Sequence, residues 1–168
     1  MKTNKIHIIA MLILAVLFSN CTKDKIFEKE NTSNSEITLK INEIYSNSDT
    51  EPDWFEVYNP GDVDVDMSGF SAYDKVDAKF TWPTGTIIPA KGHLVLICDK
   101  DLATSDATKY ANFKLSSGGE SLTLLDDEGN IVDELDFPAL DLETTYSRLP
   151  DGSDTWGIAN PTQGTANS

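Results

Sequence analysis

The sequence predicts an all-β fold, a sandwich or a barrel, for most of the chain. Short runs rich in β-branched and aromatic residues follow one another from residue 37 onward. Glycine, proline and asparagine separate these runs every 8 to 12 residues or so, roughly the spacing typical of sandwiches and barrels. A helix could form within residues 99–111, but their few apolar side chains limit it to a turn or two.

The first strand alternates apolar and polar residues and then loses its phase. Ile37, Leu39 and Ile41 occupy alternate positions, whereas Ile44 is one residue out of step. A slip of one residue turns the following side chains to the opposite face of a strand. The pattern therefore predicts a bulge or bend between Ile41 and Ile44.

The second strand carries a candidate binding face. Phe55 and Val57 alternate with Trp54, Glu56 and Tyr58, and an Asn-Pro-Gly turn follows. Aromatic side chains fill sandwich cores, so packing of this face against another layer is the first expectation. If the face is instead open to solvent, it predicts a binding patch.

Further strands are expected wherever β-prone runs lie between turn residues. These runs are residues 63–67, 70–73, 80–82, 86–88, 93–98, 121–125, 131–137 and 144–148.

Residues 1–20 have the organisation of a secretory signal peptide, with Lys2 and Lys5 before an apolar stretch. That stretch has 13 positions, whereas a membrane span needs about 20. Residues 17–21, Leu-Phe-Ser-Asn-Cys, resemble a bacterial lipobox, which implies lipid attachment at Cys21 after cleavage. Thr22 follows the cysteine, and by resemblance to lipoprotein sorting signals this implies the outer membrane. The alternative is a secreted protein that retains Cys21 as an ordinary residue.

Residues 21–36 are predicted to form a disordered tether because they are polar and contain only Ile26 and Phe27 as large apolar groups. Residues 37–168 form the predicted folded domain. Cys98, in an apolar run, is expected to be a small buried hydrophobe without a disulfide partner.

The charge balance disfavours nucleic acid as a partner. Without the signal, which contains Lys2 and Lys5, the chain has 11 basic and 28 acidic residues and a formal charge of −17. Nucleic-acid binding depends on a basic surface that releases counterions from phosphates. Such an acidic excess also keeps an exposed protein soluble.

Several short motifs occur in a particular order along the predicted domain. They are residues 41–44, 53–60, 65–70, 80–83, 85–88, 91–96, 113–116, 119–120, 122–126, 129–133, 147–148, 150–152, 156, 161–164 and 167. In this order they resemble the lamin tail domain family. The resemblance implies an immunoglobulin-like β-sandwich with Greek-key connections, without catalytic residues, that acts through its surface.

Three carboxylates, Asp62, Asp64 and Asp66, fall on one side of a run of period two. An oxygen-rich cluster of this kind could hold calcium, the only cofactor that the sequence suggests. Met67 stands where an EF-hand loop requires glycine, so that motif is excluded. A solvated strand face is the alternative.

Arg148 is the only arginine of the chain, and it precedes a Pro-Asp-Gly turn. A guanidinium pairs with a carboxylate through two parallel hydrogen bonds, so we predict a structural ion pair to a neighbouring strand. His93 is the only histidine after the signal, and no spacing suggests a nucleophile or a zinc site. The sequence therefore does not predict an enzyme.

Taken together, these features predict a lipid-anchored, non-catalytic binding or structural module of the outer membrane, on its periplasmic or cell-surface face. The expected partners are envelope or surface proteins or glycans. A calcium- or carbohydrate-dependent adhesion module is the first alternative, and a hydrolase accessory protein or enzyme is the second.

Overall fold

A computed structural model describes residues 38–75 and 78–167. The predicted signal peptide, Cys21 and tether lie outside these residues. The strands are β1 (Lys40–Tyr45), β2 (Asp53–Tyr58), β3 (Val65–Asp66), β4 (Ser71–Tyr73), β5 (Phe80–Thr81), β6 (Ile87–Ile88), β7 (His93–Cys98), β8 (Tyr110–Ala111), β9 (Gly119–Leu125), β10 (Ile131–Pro138), β11 (Thr145–Arg148) and β12 (Trp156–Ala159). The helix α1 spans Lys100–Ser105. None of the helical structure in the described ranges is long and apolar enough to cross a membrane.

The strands form two main sheets around one core. The six-stranded sheet has the order β12-β11-β1-β2-β7-β8, and the four-stranded sheet has the order β10-β9-β4-β5. Strands β3 and β6 pair separately. Several neighbouring strands are distant in sequence: β1 pairs with β11, β2 with β7, and β4 with β9. The chain therefore crosses repeatedly between the two sheets. The predicted immunoglobulin-like β-sandwich is confirmed.

The core lies between the inner faces of the two sheets. Phe55 and Val57 of β2 and Leu122 and Leu124 of β9 are completely buried there. Full burial of an aliphatic or aromatic side chain stabilises a fold by about 1.5–3 kcal/mol. Cys98 is also buried in this core, and burial raises the pKa of its thiol well above its ordinary value.

A bulge interrupts β1 where the sequence predicts it. Along the pairing with β2, the register shifts between Ile41 and Glu43. The extra residue keeps both Ile41 and Ile44 fully buried in the core, although they are an odd number of positions apart. A second bulge occurs in β10 between Ile131 and Asp133.

The structure contains two short strands that the sequence pattern does not predict. Strand β8 has two residues and pairs in parallel with β7, and β12 pairs only with β11. Neither strand is long enough or regular enough to show alternation. The helix is confined to six residues, and the Asp99 side chain caps it by accepting hydrogen bonds from the N–H groups of Asp101 and Leu102.

Candidate functional site

Two buried carboxylates lie side by side on the outer face of the six-stranded sheet. Glu43 of β1 and Glu56 of β2 are opposite each other and completely buried. The C-terminal segment, residues 160–167, crosses over them. The N–H of Thr162 donates to Glu43 Oε1 at 3.0 Å, and the N–H of Gly164 donates to Glu56 Oε2 at 2.7 Å. Both carboxylates thus bind the protein's own backbone.

Asn42, which occupies the β1 bulge, extends this cluster to the turn after β11. Its Nδ2 donates to Glu56 Oε1 and to Asp151 Oδ1, each at 3.0 Å. Its Oδ1 accepts a hydrogen bond from the Gly152 N–H, also at 3.0 Å. The bulge therefore places an amide where it can join two carboxylates and a turn.

His93 closes the cluster on the β7 side. Its Nε2 lies 3.0 Å from Asp151 Oδ2 and 3.9 Å from Glu56 Oε1. Its ring packs against Tyr58 with a centroid distance of 4.9 Å. A histidine paired with an aspartate occurs in many catalytic sites, but here the pair links β7 to the turn that Asn42 also holds.

The environment of Glu56 raises the pKa of its carboxyl group above the ordinary value. Burial raises its pKa, and the nearby Glu43 carboxylate acts in the same direction. The donors from Asn42 and Gly164, together with His93, act in the opposite direction without cancelling the rise.

The predicted face of Trp54, Glu56 and Tyr58 is largely covered. Trp54 is 3% exposed and stacks on Tyr45 with ring centroids 5.5 Å apart. Glu56 is bound by the C-terminal segment, and Tyr58, which packs against His93, is partly exposed. A binding role for this face stays a prediction.

Arg148 lies at the junction of the two sheets. Its Nη2 is 3.1 Å from Asp133 Oδ2 in β10, and its Nε donates to the carbonyl of Ile41 at 2.7 Å. Its Nη1 donates to the carbonyl of Ser153 at 2.6 Å and lies 3.6 Å from Asp154 Oδ1. Arg148 as a whole residue is only 5% exposed, so the guanidinium makes these contacts inside the protein.

The three candidate calcium ligands make separate contacts. Asp62 Oδ1 pairs with Lys91 Nζ at 3.0 Å, and Asp64 Oδ1 accepts the Ala90 N–H at 3.0 Å. Asp66 Oδ1 accepts hydrogen bonds from the N–H and hydroxyl of Ser68, which lower its pKa. Across residues 38–75 and 78–167, no group of three or more His, Cys, Asp or Glu side chains has the geometry of a metal site.

A cavity of about 390 Å³ opens beside the stacked pair of Tyr45 and Trp54. Its lining combines apolar, amide and acidic side chains: Tyr45, Glu51, Pro52, Trp54, Ile97, Pro161 and Gln163. The sequence does not reveal this cavity because its walls come from segments more than a hundred residues apart. The same holds for the contacts of Asn42, Asp133 and Asp151, which no local pattern marks.

Comparison with known proteins gives one family. The family model described as Lamin Tail Domain matches residues 31–139, well over half of the chain. A search of curated protein sequences finds no match. The matched range ends before β11, so Arg148, Asp151 and the C-terminal segment lie beyond it.

Proposed function

The chain belongs to the lamin tail domain family, and we propose that it is a lipid-anchored, non-catalytic binding or structural module of the outer membrane. The lipobox-like residues 17–21 support attachment at Cys21. A single acyl chain binds membranes only marginally, at about 0.8 kcal/mol per buried methylene, whereas the two or three chains of a bacterial lipoprotein anchor it stably. The folded domain then interacts with envelope or surface proteins.

The observation that carries the non-catalytic part of the proposal is the use made of Glu43 and Glu56. Two neighbouring carboxyl groups could serve as an acid and a base if a substrate could reach them. Here the backbone N–H groups of Thr162 and Gly164 and the hydroxyl of Thr162 donate hydrogen bonds to their oxygens. The two carboxyl groups that could act as acid and base thus hold the C-terminal segment in place. This favours a function in which the domain binds partners through its surface.

The anchor is tested by replacing Cys21 with serine in the full chain. We expect the variant to leave the membrane fraction, since serine cannot accept the thioether-linked lipid. The matched control is Cys98→Ala, which replaces the only other cysteine and keeps Cys21. This variant should remain membrane-bound. Unchanged fractionation of Cys21→Ser would contradict the anchor. Protease accessibility on intact cells then distinguishes the periplasmic face from the cell surface.

A carbohydrate-dependent adhesion module is the second candidate, and the cavity beside Trp54 favours it. Its exposed lining residues Glu51 and Gln163 supply a carboxylate and an amide, the groups that bind sugar hydroxyls by hydrogen bonding. A glycan array tests this carbohydrate-binding hypothesis. Binding that is lost in Gln163→Ala, a change at the cavity wall, would support it. Absence of binding to every glycan on the array would favour the protein-binding reading.

A further inference from the structure

The six-stranded sheet extends beyond the core on one side. Ile44, Tyr146 and Ile158 are cross-strand partners on β1, β11 and β12, so their side chains share the inner face of the sheet. Ile44 is fully buried, Tyr146 is partly exposed and Ile158 is 54% exposed. From β11 outward, the four-stranded sheet therefore no longer fully covers the inner face. We call the face of Tyr146, Trp156 and Ile158 the overhang.

The overhang is held in a fixed arrangement. Trp156 stacks on Tyr146 with centroids 4.8 Å apart and an interplanar angle of 15°. The Arg148 guanidinium lies 4.5 Å from the centroid of the Trp156 ring. Rings that are already ordered lose little conformational entropy when a ligand covers them.

A free strand edge lies beside the overhang. Strand β10 ends the four-stranded sheet, and within the described part of the chain no strand pairs with its other side. Asp133 of β10 accepts hydrogen bonds from the Ile41 N–H and from Arg148, which places β10 next to β1 and β11. An added strand on β10 would therefore lie over the overhang.

The two faces of β10 differ in chemistry. Leu135 pairs with the buried Leu122 and faces the core, so the alternate residues Glu134 and Asp136 face outward. Both acidic side chains are exposed. An added strand would place one set of side chains on the aromatic overhang and the other set beside Glu134 and Asp136.

We propose that the edge of β10 and the overhang together bind an extended segment of a partner protein in which apolar and basic residues alternate. The segment joins the sheet through main-chain hydrogen bonds. Its apolar side chains cover Tyr146, Trp156 and Ile158, and its lysines or arginines pair with Glu134 and Asp136. A second copy of this chain is a poor occupant, because its net charge of −15 would oppose the same acidic edge.

This inference rests on the proposed function as a binding module and names its surface. The probe is a peptide of alternating lysine and valine, eight residues long like β10. Three matched peptides have glutamate for lysine, serine for valine, or N-methylated main-chain nitrogens. Calorimetric titration should detect binding of the first peptide and at least about tenfold weaker binding of the other three. Amide exchange should slow along β10.

The matched protein variants are Ile158→Glu and Ile87→Glu, since both isoleucines are about half exposed, at 54% and 47%. We expect the first to weaken binding at least about tenfold and the second to leave it unchanged. Equal binding by both variants, or no binding of the lysine–valine peptide, would overturn the proposal. So would a dimer in sedimentation that Ile158→Glu dissolves, because the occupant would then be a second copy. Fractionation of Cys21→Ser tests the anchored module independently of all these outcomes.

Discussion

Arg148 and Asp133 join the two sheets at a point where the strands from both sheets are bulged. Asp133 lies at the β10 bulge, and Ile41 lies at the β1 bulge. The Ile41 N–H donates to Asp133 Oδ2 at 2.9 Å, while the Ile41 carbonyl accepts from Arg148 Nε at 2.7 Å. The ion pair between Arg148 Nη2 and Asp133 Oδ2 closes the ring. Backbone groups that a bulge removes from the ladder are thereby satisfied inside the protein.

Replacing Arg148 with lysine should destabilise the domain strongly. Lysine keeps the charge, but its single ammonium nitrogen cannot reach the three acceptors that the separate nitrogens of the planar guanidinium bind. The Ile41 carbonyl or the Asp133 carboxylate is therefore left unpaired in the interior. Breaking a buried pair costs about 3 kcal/mol or more. Urea unfolding of Arg148→Lys should show this loss in the free energy of unfolding.

The matched control for this prediction is Asp154→Asn. Asp154 also approaches Arg148, at 3.6 Å, but its side chain is fully exposed. We expect no measurable change in the urea midpoint. Equal losses in Arg148→Lys and Asp154→Asn would show that the exposed pair, rather than the ring of hydrogen bonds, holds the arginine.

The local pattern of the sequence is sufficient to predict the strands that cross the core. The phase change between Ile41 and Ile44 predicts the bulge, and the alternation around Phe55 and Val57 predicts strand β2 with its two faces. In both cases one face of the strand lies against the opposite sheet, and this burial imposes a period of two on the residues. An edge strand such as β12 has no such constraint, since Ile158 faces solvent in part.

The segment that covers Glu56 could not be predicted in the same way. Packing of the face of Trp54, Glu56 and Tyr58 is the first expectation from the sequence, but no pattern along β2 indicates which part of the chain lies over it. Gly164, which covers it, is 108 residues away in an irregular segment. Local periodicity contains no information about which distant coil packs on a strand. The family resemblance supplies the fold, but the matched range stops before this segment.

Replacing Glu56 with alanine should loosen the C-terminal segment. The change removes the acceptor of the Gly164 N–H and leaves one donor of the buried Asn42 side chain unpaired, and the second effect costs about 1–3 kcal/mol. Hydrogen exchange at Gly164 should become faster than in the unmodified protein. Glu128→Ala, in an exposed turn, is the control and should leave that exchange unchanged. Unaltered exchange in Glu56→Ala would mean that the other hydrogen bonds of the segment, to Glu43 and from Asn167, are sufficient to hold it.

Asp53 should make the stability depend on pH. Burial raises its pKa from 3.8 to about 6, while the Leu115 N–H and Lys114 act against this rise. Between these two pH values the folded state binds more protons than the unfolded chain, so the free energy of unfolding falls as the pH rises. The stabilisation is complete below about pH 4 and absent above about pH 6.

The variant Asp53→Asn removes this titration and tests it. Because Asp53 is partly open to solvent, we expect a gain of only about 1 kcal/mol at pH 7 and a smaller difference at pH 4. Thermal melts of both proteins at the two pH values measure the effect. A uniform loss of stability at both pH values would instead show that the carboxylate's hydrogen bond from Leu115 outweighs its desolvation.

Gly119 should be less replaceable than Gly129, the other glycine of positive φ in the hairpin of β9 and β10. It has a φ of +86°, and a Cβ there would lie 2.5 Å from the Phe137 carbonyl oxygen. Gly129, in the turn of the same hairpin, has a φ of +88° but nothing within 4 Å of its Cβ position. Alanine at either position incurs the strain of positive φ, about 1–2 kcal/mol. Only Gly119→Ala must also displace backbone, which adds about 1–3 kcal/mol.

Urea unfolding of Gly119→Ala and Gly129→Ala separates these two costs, since their difference measures the close approach alone. The approach joins the start of β9 to the end of β10, where Gly119 pairs with Pro138. A larger loss at Gly119 would show that the close approach of the Phe137 carbonyl adds to the strain of positive φ. Equal losses would show that the backbone around Phe137 moves away from the added methyl group at no measurable cost.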